Sequence, residues 1–154
     1  GPHIDPQGLD FIMQYIGRNP AAKTHAEAAE AMPRVFPEFD GVPSSRWMEE
    51  AVKHYTQTDT GLTITYDKHL RDAVAKAFAK PSPDLWPFFD ALDGLPIACI
   101  RGMNSNLLSE DTLTEMERRR PDMVVTRVPG RGHIPFLDEP EAVAALHAWI
   151  GKMQ

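Results

Sequence analysis

The chain of 154 residues matches one domain of ordinary size, which runs to about 100–200 residues. Its hydrophobic fraction of 42% suffices for a core, and a net charge of −6 argues against nucleic acid as a partner, which calls for a basic face. No run approaches the roughly 18 consecutive apolar residues of a membrane span, so no membrane partner is expected. The opening Gly1-Pro2-His3-Ile4-Asp5 lacks the basic and apolar regions of a secretory signal, which leaves a cytoplasmic setting as the default expectation. The single cysteine, Cys99, cannot form an internal disulfide and lies in an apolar run, where a thiol packs as a small hydrophobe.

Fourteen prolines punctuate the chain, Pro33, Pro81 and Pro121 among them, and divide it into short elements. Up to about residue 92 these read as helices. Leu9, Ile12, Met13 and Ile16 fall at helical spacing. Thr24 offers an N-cap with Glu27 three residues on, and a helix over 26–36 follows, with Pro33 disturbing its last turn. Ser45 can cap a third helix, with Trp47, Met48, Ala51, Val52 and Tyr55 on one side. The alternation over 62–66 predicts a short strand. Asp67 caps a fourth helix through Phe78, with Leu70, Val74 and Ala77 inward, and Asp84 a short fifth one through Leu92.

The pattern then changes. The apolar run of 95–100 reads as a buried parallel strand ending at Arg101-Gly102. An amphipathic helix over 109–120, with Leu113 and Met116, is closed by Pro121. Residues 123–128 form a second strand, stopped by Pro129-Gly130. Asp138, with Glu141 at the capping-box position, opens a last helix carrying Val143, Leu146, Trp149 and Ile150. Strand, helix, strand, helix is a βαβα unit, which builds a parallel sheet and predicts an α/β fold. Two strands alone leave edges and faces uncovered, so this half is expected to be the end of a larger sheet.

Ligands of parallel α/β sheets bind beyond the carboxyl ends of the strands. The loops leaving those ends are 102–109 and 130–136. The second holds His133 between glycines and a proline, either as a general acid or base or as a loop histidine that merely packs. His25, His54, His69 and His147 fall inside predicted helices and read as structural or solvated, and the role of His3 is open. No metal is expected, because no histidine pair has ligand spacing. Trp47, Trp86 and Trp149 fall at core spacing, while Trp86, Phe88 and Phe89 are also candidates to line an apolar substrate pocket. The run 117–120 reads as a solvated helix end. The sequence contains no G-x-S-x-G elbow, no G-x-G-x-x-G, no Walker A loop and no H-E-x-x-H.

Two stretches carry a family resemblance. Leu95-Pro-Ile-Ala-Cys-Ile-Arg-Gly-Met-Asn-Ser-Asn-Leu-Leu-Ser109 resembles the α/β-hydrolase pattern of an apolar strand, a glycine, an aspartate a few residues on, and Leu-Ser. Val128-Pro-Gly-Arg-Gly-His-Ile-Pro-Phe-Leu-Asp-Glu-Pro140 resembles that superfamily's catalytic-histidine loop. The likeness covers about residues 84–152, closest to ester and epoxide hydrolase-like members, and assigns 84–154 to the C-terminal part of the hydrolase core. Residues 1–83 resemble the helical cap, or lid, that such enzymes insert between strands six and seven.

The resemblance implies that His133 is the catalytic base and acid of a serine-type, two-step hydrolysis of a small, largely apolar ester, with no cofactor. It also implies a nucleophile outside this chain, so the partner expected is the N-terminal half of the same fold, or another copy covering the same surface. An aspartate nucleophile would make the reaction epoxide or haloalkane hydrolysis instead. Asn106 stands where the family's acid is expected. Three readings follow: an acid at the end of strand six, before Gly1; an inactivating change at 106; or Glu110 or Asp111 reaching in. The alternative from another class is a non-catalytic hydrolase-like protein that binds small molecules.

Overall fold

The computed structural model describes residues 2–79 and 83–153. Gly1 and the expected break at Pro81 lie outside them. The chain divides into two compact units, Gly1–Leu9 with Pro83–Gln154, and Asp10–Ser82; the first helix, α1 (Pro6–Tyr15), passes from one to the other.

The unit of residues 10–82 is mainly helical. Thr24 caps α2 (His25–Val35) by accepting from the Glu27 amide. The Glu27 carboxylate reaches one residue beyond a standard capping box, to the Lys23 amide at 2.7 Å. The helix runs through Pro33 to Val35, so proline does not end it. The next helix, α3 (Ser44–His54), starts after extended Pro43, with no side-chain cap from Ser45. Its buried stripe is Trp47 and Ala51, narrower than expected: Met48 and Val52 are exposed. Phe36 stacks on Trp47 and Phe39 meets the same ring edge-on.

The strand expected over 62–66 is one arm of a hairpin. In it β1 (Tyr55–Thr58) pairs antiparallel with β2 (Gly61–Ile64). The first arm follows α3 without a break, and only Tyr55 is half-buried, so it carries no apolar alternation. Asp67 does not cap α4 (Leu70–Phe78); its carboxylate accepts from the His69 amide and ring, both at 2.9 Å. That helix fully buries none of its residues: Leu70 and Ala77 are exposed and Val74 is half-buried.

The other unit holds the βαβα layer. A short α5 (Trp86–Asp90) leads to β3 (Ala98–Gly102), then α6 (Glu110–Arg119), β4 (Val124–Val128) and α7 (Pro140–Gly151). The two strands pair in parallel, in register from Ala98 opposite Val124 to Gly102 opposite Val128. The Ser109 hydroxyl caps α6 by accepting from the Thr112 amide. Phe89, Leu113, Met116 and Met123 form the core, with Trp86, Ile97, Cys99, Leu108 and Val125 packed against it. Cys99 and Val125 are register partners, so this core covers one face of the pair.

Against both strands lies α7, through Ala142 and Ala145, which are buried. The expected stripe is displaced: Val143, Leu146 and Trp149 are half-buried and Ile150 is exposed. Small side chains let the helix approach the sheet closely, and the larger ones flank the contact. The Trp149 indole donates to the Pro96 carbonyl at 2.9 Å. Asp138 is not the N-cap of α7; Glu139 is, and its carboxylate turns away from its own helix. Register also places Arg101 beside Arg127. Like charges so placed repel. The Glu110 carboxylate lies between them, 3.2 Å from Arg101 and 2.5 Å from Arg127.

Candidate active site

Both strands end at one level, and their loops are held together by backbone contacts. The Met103 amide donates to the Val128 carbonyl and the Asn104 amide to the Arg131 carbonyl, each at 2.9 Å. A Cβ at Gly102 would strike the carbonyl oxygens of Arg131 and Gly132, so glycine permits this approach. Gly130 turns the second loop at φ 63°, in the left-handed region.

Each loop closes around one charged side chain. Arg101 is only 7% exposed, an uncommon state for a guanidinium. It donates to the carbonyls of Leu108 at 2.7 Å, Met103 at 3.3 Å and Ser105 at 3.5 Å, and it pairs with Glu110. Glu139, 8% exposed, does the same for the second loop. It pairs with Arg131 at 2.7 Å and accepts from the amides of Phe136 and Leu137 at 3.2 and 2.9 Å. The lone pairs and N–H groups of both charges are thereby engaged, as burial demands.

Between these clamps His133 stands exposed to solvent, with Nδ1 turned to the Ser105 hydroxyl at 3.4 Å. That hydroxyl also accepts from the Leu108 amide at 3.2 Å. The protein around the ring desolvates it enough to push its pKa below the ordinary histidine value. Asn106 follows Ser105 on the same loop, half-buried, and a Cβ at Gly8 would strike its carbonyl oxygen. The Asp5 amide donates to the Leu107 carbonyl at 3.1 Å, tying the start of the chain to this loop.

The structure thus brings the loops of His133 and Asn106 together, and it does not bring Trp86, Phe88 and Phe89 to them. Phe89 is part of the core and Trp86 packs edge-on against it, under the Arg119 guanidinium. Phe88, 71% exposed, opens with Phe89, Leu85, Leu92, Ile97 and Met123 onto an apolar cleft of about 390 Å³. Ile97 and Met123 precede β3 and β4, so this cleft lies toward the amino ends of the strands, opposite His133.

Of the substitutes for an acid at 106, Glu110 is taken by two arginines; the hydrogen bond from Arg127 holds its carboxyl below the usual range. Asp111 is exposed on the first turn of α6. The other histidines lie elsewhere: His25 meets the Tyr55 carbonyl, His54 the Glu50 carbonyl and His69 Asp67, while His3 and His147 are exposed. Among the described residues no three His, Cys, Asp or Glu side chains gather as metal donors, and no helix is long and apolar enough to cross a membrane.

Sequence reasoning missed Ser105, Arg101 and Glu139. Arg101 carried a usable signal, a charge at the end of a strand otherwise apolar. Ser105 and Glu139 carried none, being common residue types in a polar loop.

No protein-family model matches the chain. The 3-hydroxybutyrate-oligomer hydrolase of Cupriavidus necator is 29% identical over 152 aligned residues, which cover 94% of this chain and 52% of that protein. An alpha/beta hydrolase from Novosphingobium aromaticivorans superposes with a TM-score of 0.85 at 30% identity, over 99% of this chain and 54% of that one. E-2-(acetamidomethylene)succinate hydrolase gives a TM-score of 0.72 at 22% identity, over 99% and 54%, a likeness of fold. The chain spans about half the length of each of these relatives.

Proposed function

Since this chain carries the C-terminal part of the α/β-hydrolase fold, we propose that it supplies the base of a hydrolase site, with His133 as general base and acid. The nucleophile comes from outside the chain, whose sequence has no elbow motif. In the first step His133 takes the proton of the attacking hydroxyl as that oxygen bonds to the ester carbonyl carbon. It then gives that proton to the departing alcohol; a water, deprotonated by the same ring, bonds to the acyl carbon, and the ring passes this proton to the nucleophile's oxygen as its bond to the acyl group breaks and the acid is released. The substrate class is a small, largely apolar ester, and the relative from Cupriavidus points to short oligomers of a hydroxy acid. Residues 1–83 correspond to the lid of such enzymes, and the partner of the C-terminal part is the N-terminal half of the fold.

The observation that carries this reading is the placement of His133. It lies on a glycine-turned loop at the carboxyl end of a parallel strand, with its ring open to solvent and its loop fixed by the ion pair of half-buried Arg131 with buried Glu139. Hydrolysis of p-nitrophenyl butyrate and of the 3-hydroxybutyrate dimer tests it. The 154-residue chain alone is expected to be inert and the intact protein that contains it active. His133→Ala should lower turnover by several orders of magnitude, as loss of a triad base does. Asn106 favours a second reading, a binding protein without turnover. An intact protein that binds small apolar ligands but leaves ester, epoxide and haloalkane substrates unchanged would establish that reading instead.

A further inference from the structure

We propose that Ser105 is the residue that positions the His133 ring, acting through Nδ1; the inference rests on the catalytic role of His133 given above. Among the described residues, the Ser105 hydroxyl is the side-chain group within hydrogen-bond reach of Nδ1, at 3.4 Å. The distance is long, as such contacts commonly are before substrate binds. A hydroxyl has one hydrogen and two lone pairs. The Leu108 amide occupies one lone pair, which leaves the hydrogen and the other lone pair for the ring. The oxygen can donate to a bare Nδ1 or accept from Nδ1–H, turning about its own bond as the proton moves. A carboxylate can only accept. Ser105 therefore holds the ring in either protonation state, while adding no negative charge to stabilise an imidazolium.

The hydroxyl is itself fixed. Ser105 is 8% exposed, and its amide donates to the Gly102 carbonyl at 2.9 Å. Arg101 spans the turn from Ser105 to Leu108, donating to the carbonyls at both ends. The chain of support runs from a buried guanidinium to a loop, from the loop to one hydroxyl, and from the hydroxyl to the ring. Asn106, one residue on, takes no part in it.

The test is ¹⁵N NMR of the histidine ring in the intact protein. Ser105→Ala is expected to move the Nδ1 and Nε2 shifts of His133 toward those of free histidine. Ser105→Thr, which keeps the hydroxyl, should return them toward the original values, and Asn106→Ala should leave them in place. In the ester assay Ser105→Ala should lower kcat about tenfold, the loss of roughly one ordering hydrogen bond, with KM unchanged, and Ser105→Thr should recover it. A merely structural serine would shift the melting temperature without moving the ring nitrogens. Unchanged shifts in Ser105→Ala, or an equal change in Asn106→Ala, overturn the proposal. Should the alanine variant not fold, Ser105→Cys, of similar size and a weak hydrogen-bonding group, is read by the same shifts. If ring shifts move but His133→Ala keeps full turnover, the catalytic reading fails and the positioning stands. If His133→Ala abolishes turnover and the shifts stay, the reverse holds.

Discussion

His133 titrates in surroundings that partly desolvate its ring and, in the described loops, offer it a hydroxyl in place of a carboxylate. Its pKa is lowered by desolvation, so the neutral, proton-accepting form persists below the ordinary value of about 6.5. The acid limb of the kcat/KM profile of the intact protein should therefore fall below that value. A limb clearly above it would show that a carboxylate reaches the ring. The same shift has a stability consequence of definite sign. Between the folded and unfolded pKa values the unfolded chain binds more protons. The contribution of His133 is then fully present above about pH 6.5 and declines as the pH falls toward its folded pKa. The place of His133 on a loop at a strand end was legible in the sequence because glycines and a proline mark a turn after a strand. Trp86, Phe88 and Phe89 advertised apolar surface, but a sequence does not say which end of a sheet an aromatic side chain joins.

At the level of elements, the crossing of the two loops depends on Gly102. Gly102→Ala should force apart the backbones that bring Ser105 and His133 together, because the atoms it would meet are carbonyl oxygens, not flexible side-chain ends. A destabilisation of about 1–3 kcal/mol is expected, the usual range for overpacking, read as a lower midpoint in a denaturant melt. An unchanged midpoint would show that the loops are free to separate. The strands were legible because 95–100 is an apolar run and 123–128 is rich in β-branched residues, and glycine or proline bounds each. The structure starts β3 at Ala98 because Pro96 has no amide to give and Leu95 remains exposed. The stripe of α7 was misread for a different reason. Periodicity points to large residues, whereas close contact with a sheet selects small ones, here Ala142 and Ala145. Arm β1 was illegible because Tyr-Thr-Gln-Thr hides no apolar face.

Across the whole molecule, the sheet is thinner than its own composition calls for. Ala98, Cys99, Ile100, Val124 and Val125 are only half-buried, although parallel strands of this kind are ordinarily covered on both faces. Phe88 and Leu95, 71% and 55% exposed, extend the uncovered surface. We therefore expect the N-terminal half of the fold, or failing that a second copy, to cover it; light scattering on the 154-residue chain should show self-association, and a stable monomer with a cooperative melt would count against this. The lone thiol makes that covering measurable without a substrate. Cys99 lies within the half-open strand, and burial raises its pKa, so alkylation draws on a small thiolate fraction and slows further with each layer of protein laid over β3. The chain thus carries one built-in chemical clock, whose rate with iodoacetamide at fixed pH counts how often the sheet is left open.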